Sequence, residues 1–262
     1  MNCLFCERPA GNGVKISKEH IFGDWTTRVL PPQPPKRSYR SSIFNPRTGE
    51  MERNDYKAPV PLLQTQVRGP CEDCNGGWMN DQEMAVKPYA KHLFYGRDLH
   101  MSPDLASTIA TWISKSSMVR DAQDDKRVQA VTQDRRNWIR TRLTPPPGTW
   151  VWIACLHVDH ALTASRHHTR YRATALHLAE PLVANAFVST FSFHRLVLFV
   201  AGCPPGVGAV YDPSALFPET ILRIWPDPAP CHWPPRRTIS DELVAKLCDG
   251  EGIFSPPAQP PA

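Results

Sequence analysis

The chain has no run of about 18 apolar residues, so its sequence predicts no membrane-spanning helix. Its longest apolar region, 187–202, is broken by Ser189, Thr190, Ser192, His194 and Arg195. The start, Met1-Asn2-Cys3, lacks the basic stretch and apolar core of an export signal, which leads us to expect a cytoplasmic protein. No glycine-rich loop ends in the lysine of a nucleotide-phosphate cradle; 202–208 holds the prolines of a turn instead. No Gly-x-Ser-x-Gly elbow is present, which excludes that route to a serine nucleophile. Charge is modest as well. A formal net charge of +5 permits a nucleic-acid partner without demanding one.

What is present is ordinary in its apolar content, 41%, and its charged content, 21%. With 262 residues the chain is long enough for a sizeable core. Proline is abundant, at 28 residues. It clusters at 31–35, 145–147 and 256–261, which read as stiff connectors and ends rather than core. Eight cysteines in a chain without an export signal favour metal binding over disulfides.

The pattern divides the chain. Residues 16–21 read as a short strand and 23–30 as one or two helical turns. A long insertion follows at 31–68, with seven basic against three acidic residues between 28 and 57. It suits a nucleic-acid-binding arm or a loop without order. Residues 78–87 read as a helix that Pro88 ends or kinks. Ser102 and Pro103 open a helix over 102–119, where Leu105, Ile109, Trp112, Ile113 and Val119 recur at helical spacing. A second, arginine-rich helix spans about 134–143. Strands are expected at 150–156, 171–178, 186–193, 196–201 and 221–225, and a last helix at 240–248. The expected fold is therefore α+β, with a zinc module at 1–97, a helical connector at 98–147, a mostly antiparallel β domain at 148–252 and a proline-rich tail at 253–262.

Two Cys-x-x-Cys pairs carry the strongest signal, Cys3 with Cys6 and Cys71 with Cys74. Four thiolates in two knuckles make a closed tetrahedral zinc site, and closed sites are structural. Knuckles this far apart suit a treble-clef fold, in which a hairpin supplies one pair and a helix start the other. In the second half, Cys155, Cys203, Cys231 and Cys248 have no knuckle spacing. His157 with His160, and His167 with His168, fall at a strand end and in a polar turn, and a second metal site is not expected there.

Cys-x-x-Cys, then Ser-Lys-Glu-His-Ile at 17–21, then Cys-x-x-Cys-Asn at 71–75 resembles the HNH endonuclease superfamily in its zinc-bearing ββα-metal branch. The resemblance covers residues 3 to about 85. It departs from the family pattern at Gly23, where many members carry proline, and in the length of the insertion. It implies a metal-dependent endonuclease that hydrolyses DNA phosphodiester bonds, with RNA left open as substrate. His20 would be the general base, Glu19 and Asn75 the ligands of a catalytic Mg²⁺ or Mn²⁺, and Asn80 a weaker ligand or positioning group. The chemistry agrees. A neutral imidazole suits taking a proton from water, and a hard cation prefers carboxylate and amide oxygens. As strand neighbours, Glu19 and His20 point to opposite faces, so both reach one centre only where the strand ends or twists. Lys18, Arg28 and Arg68 are candidate phosphate contacts. The alternative is a non-catalytic zinc module that binds nucleic acid or protein. The C-terminal part carries no recognisable chemistry; it could bind a protein partner or a second copy of the chain.

Overall fold

The computed structural model describes residues 1–31, 37–45, 50–58, 62–124, 129–157, 164–171, 186–204 and 211–253. For 37–45, 50–58 and most of 164–171 the backbone alone is described. The architecture is α+β, with antiparallel sheets throughout.

The N-terminal part is built around two strands distant in sequence. β1 (Ile16–His20) is followed by the short helix α1 (Thr26–Val29), a hairpin of β2 (Arg37–Asn45) and β3 (Glu50–Ala58), and β4 (Gln66–Cys71). β1 and β4 pair antiparallel, with Lys18 opposite Arg68, Glu19 opposite Val67 and His20 opposite Gln66. The basic insertion thus has a paired backbone over most of its length. The side chains of its residues 32–62 lie outside the described residues.

β4 runs directly into a helical segment. Cys71 is extended, at φ −79° and ψ 161°, and serves as the N-cap of α2 (Glu72–Cys74). One wide turn over Asn75–Met79 follows, kinked at Gly77, whose ψ of −118° is not helical. α3 (Asn80–Val86), a 3-10 turn over Lys87–Tyr89 and α4 (Ala90–Tyr95) complete the run. Pro88 sits in the 3-10 turn, as expected of a residue that cannot donate to the previous turn. A short strand, β5 (Leu99–Met101), precedes the next helix.

α5 (Pro103–Asp121) is the central element. Ser102 caps it by accepting from the Leu105 amide at 3.2 Å, and Pro103 takes the first helical position. The stretch assigned from sequence to a connector is buried continuously from Ile109 to Val119. α6 (Gln133–Arg142) packs beside it.

The remaining chain adds β6 (Thr149–Cys155), β7 (Ala164–Tyr171), β8 (Ala186–Phe193), β9 (Leu196–Gly202), α7 (Pro213–Leu216), β10 (Ile221–Trp225), β11 (Cys231–Trp233) and α8 (Asp241–Cys248). Five of these strands form one antiparallel sheet in the order β10-β6-β9-β8-β7, and β11 pairs with β5. Every residue of β8 and β9 is buried. The pleat divides them between two apolar clusters. Phe187, Phe191 and Leu198 join the α5 side, with Trp112 and Ile113; Val188, Val197 and Phe199 join the other side, with Leu247 of α8. A sheet covered on both faces favours apolar residues at successive positions, as in the unbroken run 196–201.

Residues 172–178 of the strand expected at 171–178 lie outside the described residues. One expectation changes. His167 and His168 stand on β7, not in a polar turn. His168 is hidden there because Ser189 on β8 and Asp121 on α5 supply its polar partners.

The larger apolar cluster runs from Cys3 to Trp233 and so joins the cysteine region, α5 and the sheet. Aromatic contacts fix the end of β1 against the sheet. Phe22 meets Phe191 and Phe193 edge-on at 5.2 and 4.6 Å, and Trp25 stacks on Phe94 at 5.9 Å. Pairs of this kind contribute roughly 0.5–1.5 kcal/mol beyond area burial. They hold the residues that follow His20.

Candidate functional site

The four cysteines converge. Their sulfur atoms all lie within 4.8 Å of one another, and Cys6 Sγ is 3.7 Å from Cys71 Sγ. A tetrahedral zinc with Zn–S bonds near 2.3 Å needs sulfurs about 3.8 Å apart, so the group can hold a metal ion such as zinc. Cys71 N donates to Cys3 Sγ at 3.2 Å, which favours sulfur in its thiolate form. A hydrogen bond from Cys74 holds the Cys3 thiol down at about 4, and the same bond pushes Cys74 up. Arg8 reaches Cys6 Sγ at 3.4 Å and Cys71 Sγ at 3.5 Å while pairing with Asp73 at 2.6 Å. Among the described residues this is the only group of three or more His, Cys, Asp or Glu side chains placed to share a metal.

The candidate residues on β1 separate by face. Glu19 points inward and is 7% exposed, as is its partner Val67. Lys18, Gln66 and Arg68 are exposed and His20 is partly exposed, all on the other face. Lys18 and Arg68 are direct cross-strand neighbours. Like charges placed opposite one another repel, and an anion bound between them would relieve that repulsion. Arg28 is exposed and pairs with Asp24 at 3.4 Å.

His20 Nε2 lies 3.0 Å from Gln66 Nε2. With the Gln66 amide donating, the imidazole proton sits on Nδ1. If Gln66 turns its amide and offers oxygen, Nε2 carries the proton and Nδ1 can accept one. Either way the contact fixes the ring plane.

Asn75 binds back to β1. Its Nδ2 donates to Ser17 Oγ at 3.1 Å and to the Lys18 carbonyl at 3.5 Å, and its amide favours the ionised form of the nearby Glu19 carboxylate. Asn75 is the C-cap of α2, whose N-cap is Cys71. Glu19 and Asn75 therefore form an adjacent carboxylate and amide. This sparse oxygen set suits a hard cation that keeps most of its water. Asn80 is exposed at the start of α3 and has no hydrogen bond to the site among those of the described residues. The wide turn over Asn75–Met79, with its kink at Gly77, shifts the helical phase that a simple count of five residues assumes.

Two residues that sequence reasoning missed complete the inner face. Lys115 of α5 is fully buried, with Nζ 2.7 Å from Glu83 Oε1 and 3.3 Å from Glu19 Oε1. Glu83 of α3 takes the Trp25 indole N–H on its other oxygen at 3.1 Å. Burial alone would push Lys115 down, but the two carboxylates outweigh it and hold the ammonium above its ordinary range. Burial pushes Glu19 up, and Glu83 adds to this, against the opposing pull of Lys115 and Asn75. Gly23 is part of the arrangement, because a Cβ there would overlap the Glu83 carboxylate. Position 23 is thus glycine for a local steric reason. A signal for Lys115 existed in the sequence: no acidic residue stands three or four positions from it. Glu83 was masked by Lys87, four residues on, which reads as a surface pair.

No family model, no curated protein and no solved structure matches this chain.

Proposed function

We propose that the protein is a metal-dependent endonuclease of the HNH type, hydrolysing DNA phosphodiester bonds, with its four cysteines holding a structural zinc. The hairpin β1–β4 running into a helix through Cys71 supports a treble-clef, ββα-metal reading of the N-terminal part. The observation that carries the proposal is the meeting of β1 with the helix start, where Asn75 bonds Ser17 and Lys18, the residues leading into Glu19 and His20. In this reading His20 takes the proton from the attacking water, held in plane by Gln66. Lys18 and Arg68 bind phosphates on the exposed face. Glu19 and Asn75 would hold Mg²⁺ or Mn²⁺, which supplies charge stabilisation for the phosphoryl and leaving oxygens. Asn80, exposed at the start of α3, is the weaker ligand or positioning group.

The test is cleavage of supercoiled plasmid with Mg²⁺, with Mn²⁺ and with chelator, beside a His20→Ala variant that retains its zinc. Metal-dependent nicking that the variant loses supports the reading. Equal inactivity of both proteins on plasmid, single-stranded and branched DNA removes it. One observation favours a second reading, a non-catalytic zinc module that binds nucleic acid: Glu19 is buried and already paired with Lys115. DNA binding without cleavage, unaffected by Glu19→Gln, would select that reading.

A further inference from the structure

Three charge-bearing side chains meet in the interior of the fold. Lys115 is 0% exposed, Glu83 11% and Glu19 9% at the side chain. Two carboxylates against one ammonium leave one negative charge. Charge without a partner is costly away from water, so such a cluster attracts one further cation.

The two carboxylates are not equivalent. Glu83 spends one oxygen on Lys115 at 2.7 Å and the other on Trp25 at 3.1 Å. Gly23 packs against it and leaves no room for another group. Glu19 makes only the longer contact to Lys115, at 3.3 Å, and lies beside the Asn75 amide. The unbalanced charge therefore falls at Glu19, on the strand that ends in His20.

We infer that Lys115 is a resident cation that sets how tightly Glu19 holds a divalent metal, with Glu83 fixing Lys115 in place. Both are positioning residues, since they act through Glu19. The inference rests on the proposed metal role of Glu19 and deepens it. Lys115 holds the Glu19 carboxylate in place, at 3.3 Å, before the metal arrives. It also cancels part of the field, so the ion exchanges instead of being buried permanently. A unit charge within about 5 Å alters cation affinity by tenfold or more at the effective dielectric of protein sites.

The test is a Mn²⁺ titration of the full chain purified with zinc. Free Mn²⁺ is read by electron paramagnetic resonance, independently of any cleavage. Affinity should follow the net charge of the cluster. Glu83→Gln, with no net charge, should bind about tenfold weaker than wild type or worse. Lys115→Met, with two negative charges, should bind about tenfold tighter or better. Lys115→Met combined with Glu83→Gln restores one negative charge and should return near wild type. If Lys115→Met does not fold, the comparison of the double variant with Glu83→Gln still decides, because removing the lysine must then tighten binding. A merely structural lysine would not raise metal affinity when removed. Glu19→Gln is the control. Wild-type binding that Glu19→Gln abolishes, with affinities that ignore Lys115 and Glu83, overturns this inference alone. Absence of Glu19-dependent Mn²⁺ binding in wild type overturns it together with the metal role of Glu19.

Discussion

Lys115 Nζ sits 2.7 Å from Glu83 Oε1, joining a residue in the middle of the central helix to one on the helix that follows the second cysteine pair. The lysine is completely buried. Removing one partner of such a pair leaves an uncompensated charge, which costs about 3–5 kcal/mol. Lys115→Met should therefore lower unfolding free energy by about 3 kcal/mol, measured by urea denaturation. A loss below about 1 kcal/mol would show that the cluster contributes little to stability.

Gly23 and Glu83 should behave as a coupled pair. Gly23→Ala places a methyl group against the Glu83 carboxylate and is expected to cost about 1–3 kcal/mol. In a Glu83→Ala background the same change should cost less, with only the Trp25 indole left close to the added methyl. A double-mutant cycle on thermal or urea unfolding checks this; additive losses would mean that the loop after β1 adjusts without Glu83.

The second buried network gives a pH dependence. His168 Nδ1 lies 2.6 Å from Ser189 Oγ, and its Nε2 lies 3.4 Å from Asp121 Oδ1. Asp121 also accepts from Arg136 at 3.2 Å and from the backbone of Ala130 and Val131. Burial pushes the His168 pKa down, outweighing the pull of Asp121. The unfolded chain, with an ordinary imidazole near 6.5, then binds a proton that the folded chain refuses. Stability is lost as pH falls below about 6.5, by at most about 1.4 kcal/mol per unit for one proton. Asp121 adds to the loss only in stronger acid, because its carboxyl is held below the usual range; burial opposes this, but the bonds from His168, Ala130 and Arg136 prevail. The slope between pH 7 and 5.5 should be shallower in His168→Gln. Equal slopes for variant and wild type would remove His168 as the source.

Metal removal should act through the cysteine cluster. One zinc per chain is expected, released by denaturation in thiol reagent and read with a chromogenic chelator. Cys71→Ser should lose that metal and unfold at a lower temperature, because zinc binding to such sites is folding free energy. Full stability in Cys71→Ser without metal would contradict a structural role.

The proposed function makes the exposed face of the β1–β4 pair, with Lys18 opposite Arg68, the surface that holds nucleic acid. Lys18→Ala and Arg68→Ala should each weaken binding uniformly across sequences. Each should also reduce the slope of log affinity against log salt by about 1. Fluorescence anisotropy across a salt series measures this. An unchanged slope in both variants would move the phosphate contacts elsewhere.

Much of the local structure was legible because it follows from local chemistry. Two Cys-x-x-Cys pairs specify a shared site through sulfur chemistry, and the four sulfurs do converge. Ser102-Pro103 and Ser240 mark helix starts, and both serines accept the amide three residues on. The apolar stretch of β8 and β9 reads as strand pairs because both faces of that sheet are covered. Strand periodicity likewise separates Glu19 from His20 at once. Tertiary packing decided the rest. A side chain's partner depends on elements far away in sequence, so nothing near Lys115 announces Glu19, at a separation of 96 residues, or Glu83, at 32. His168 looked like a turn residue because its partners Asp121 and Ser189 are supplied by other elements. The amino-acid sequence by itself determined which groups can bind metal or move a proton. Only the folded chain decided which of those groups meet and which charges they face, because burial and long-range pairing are properties of the whole packed core.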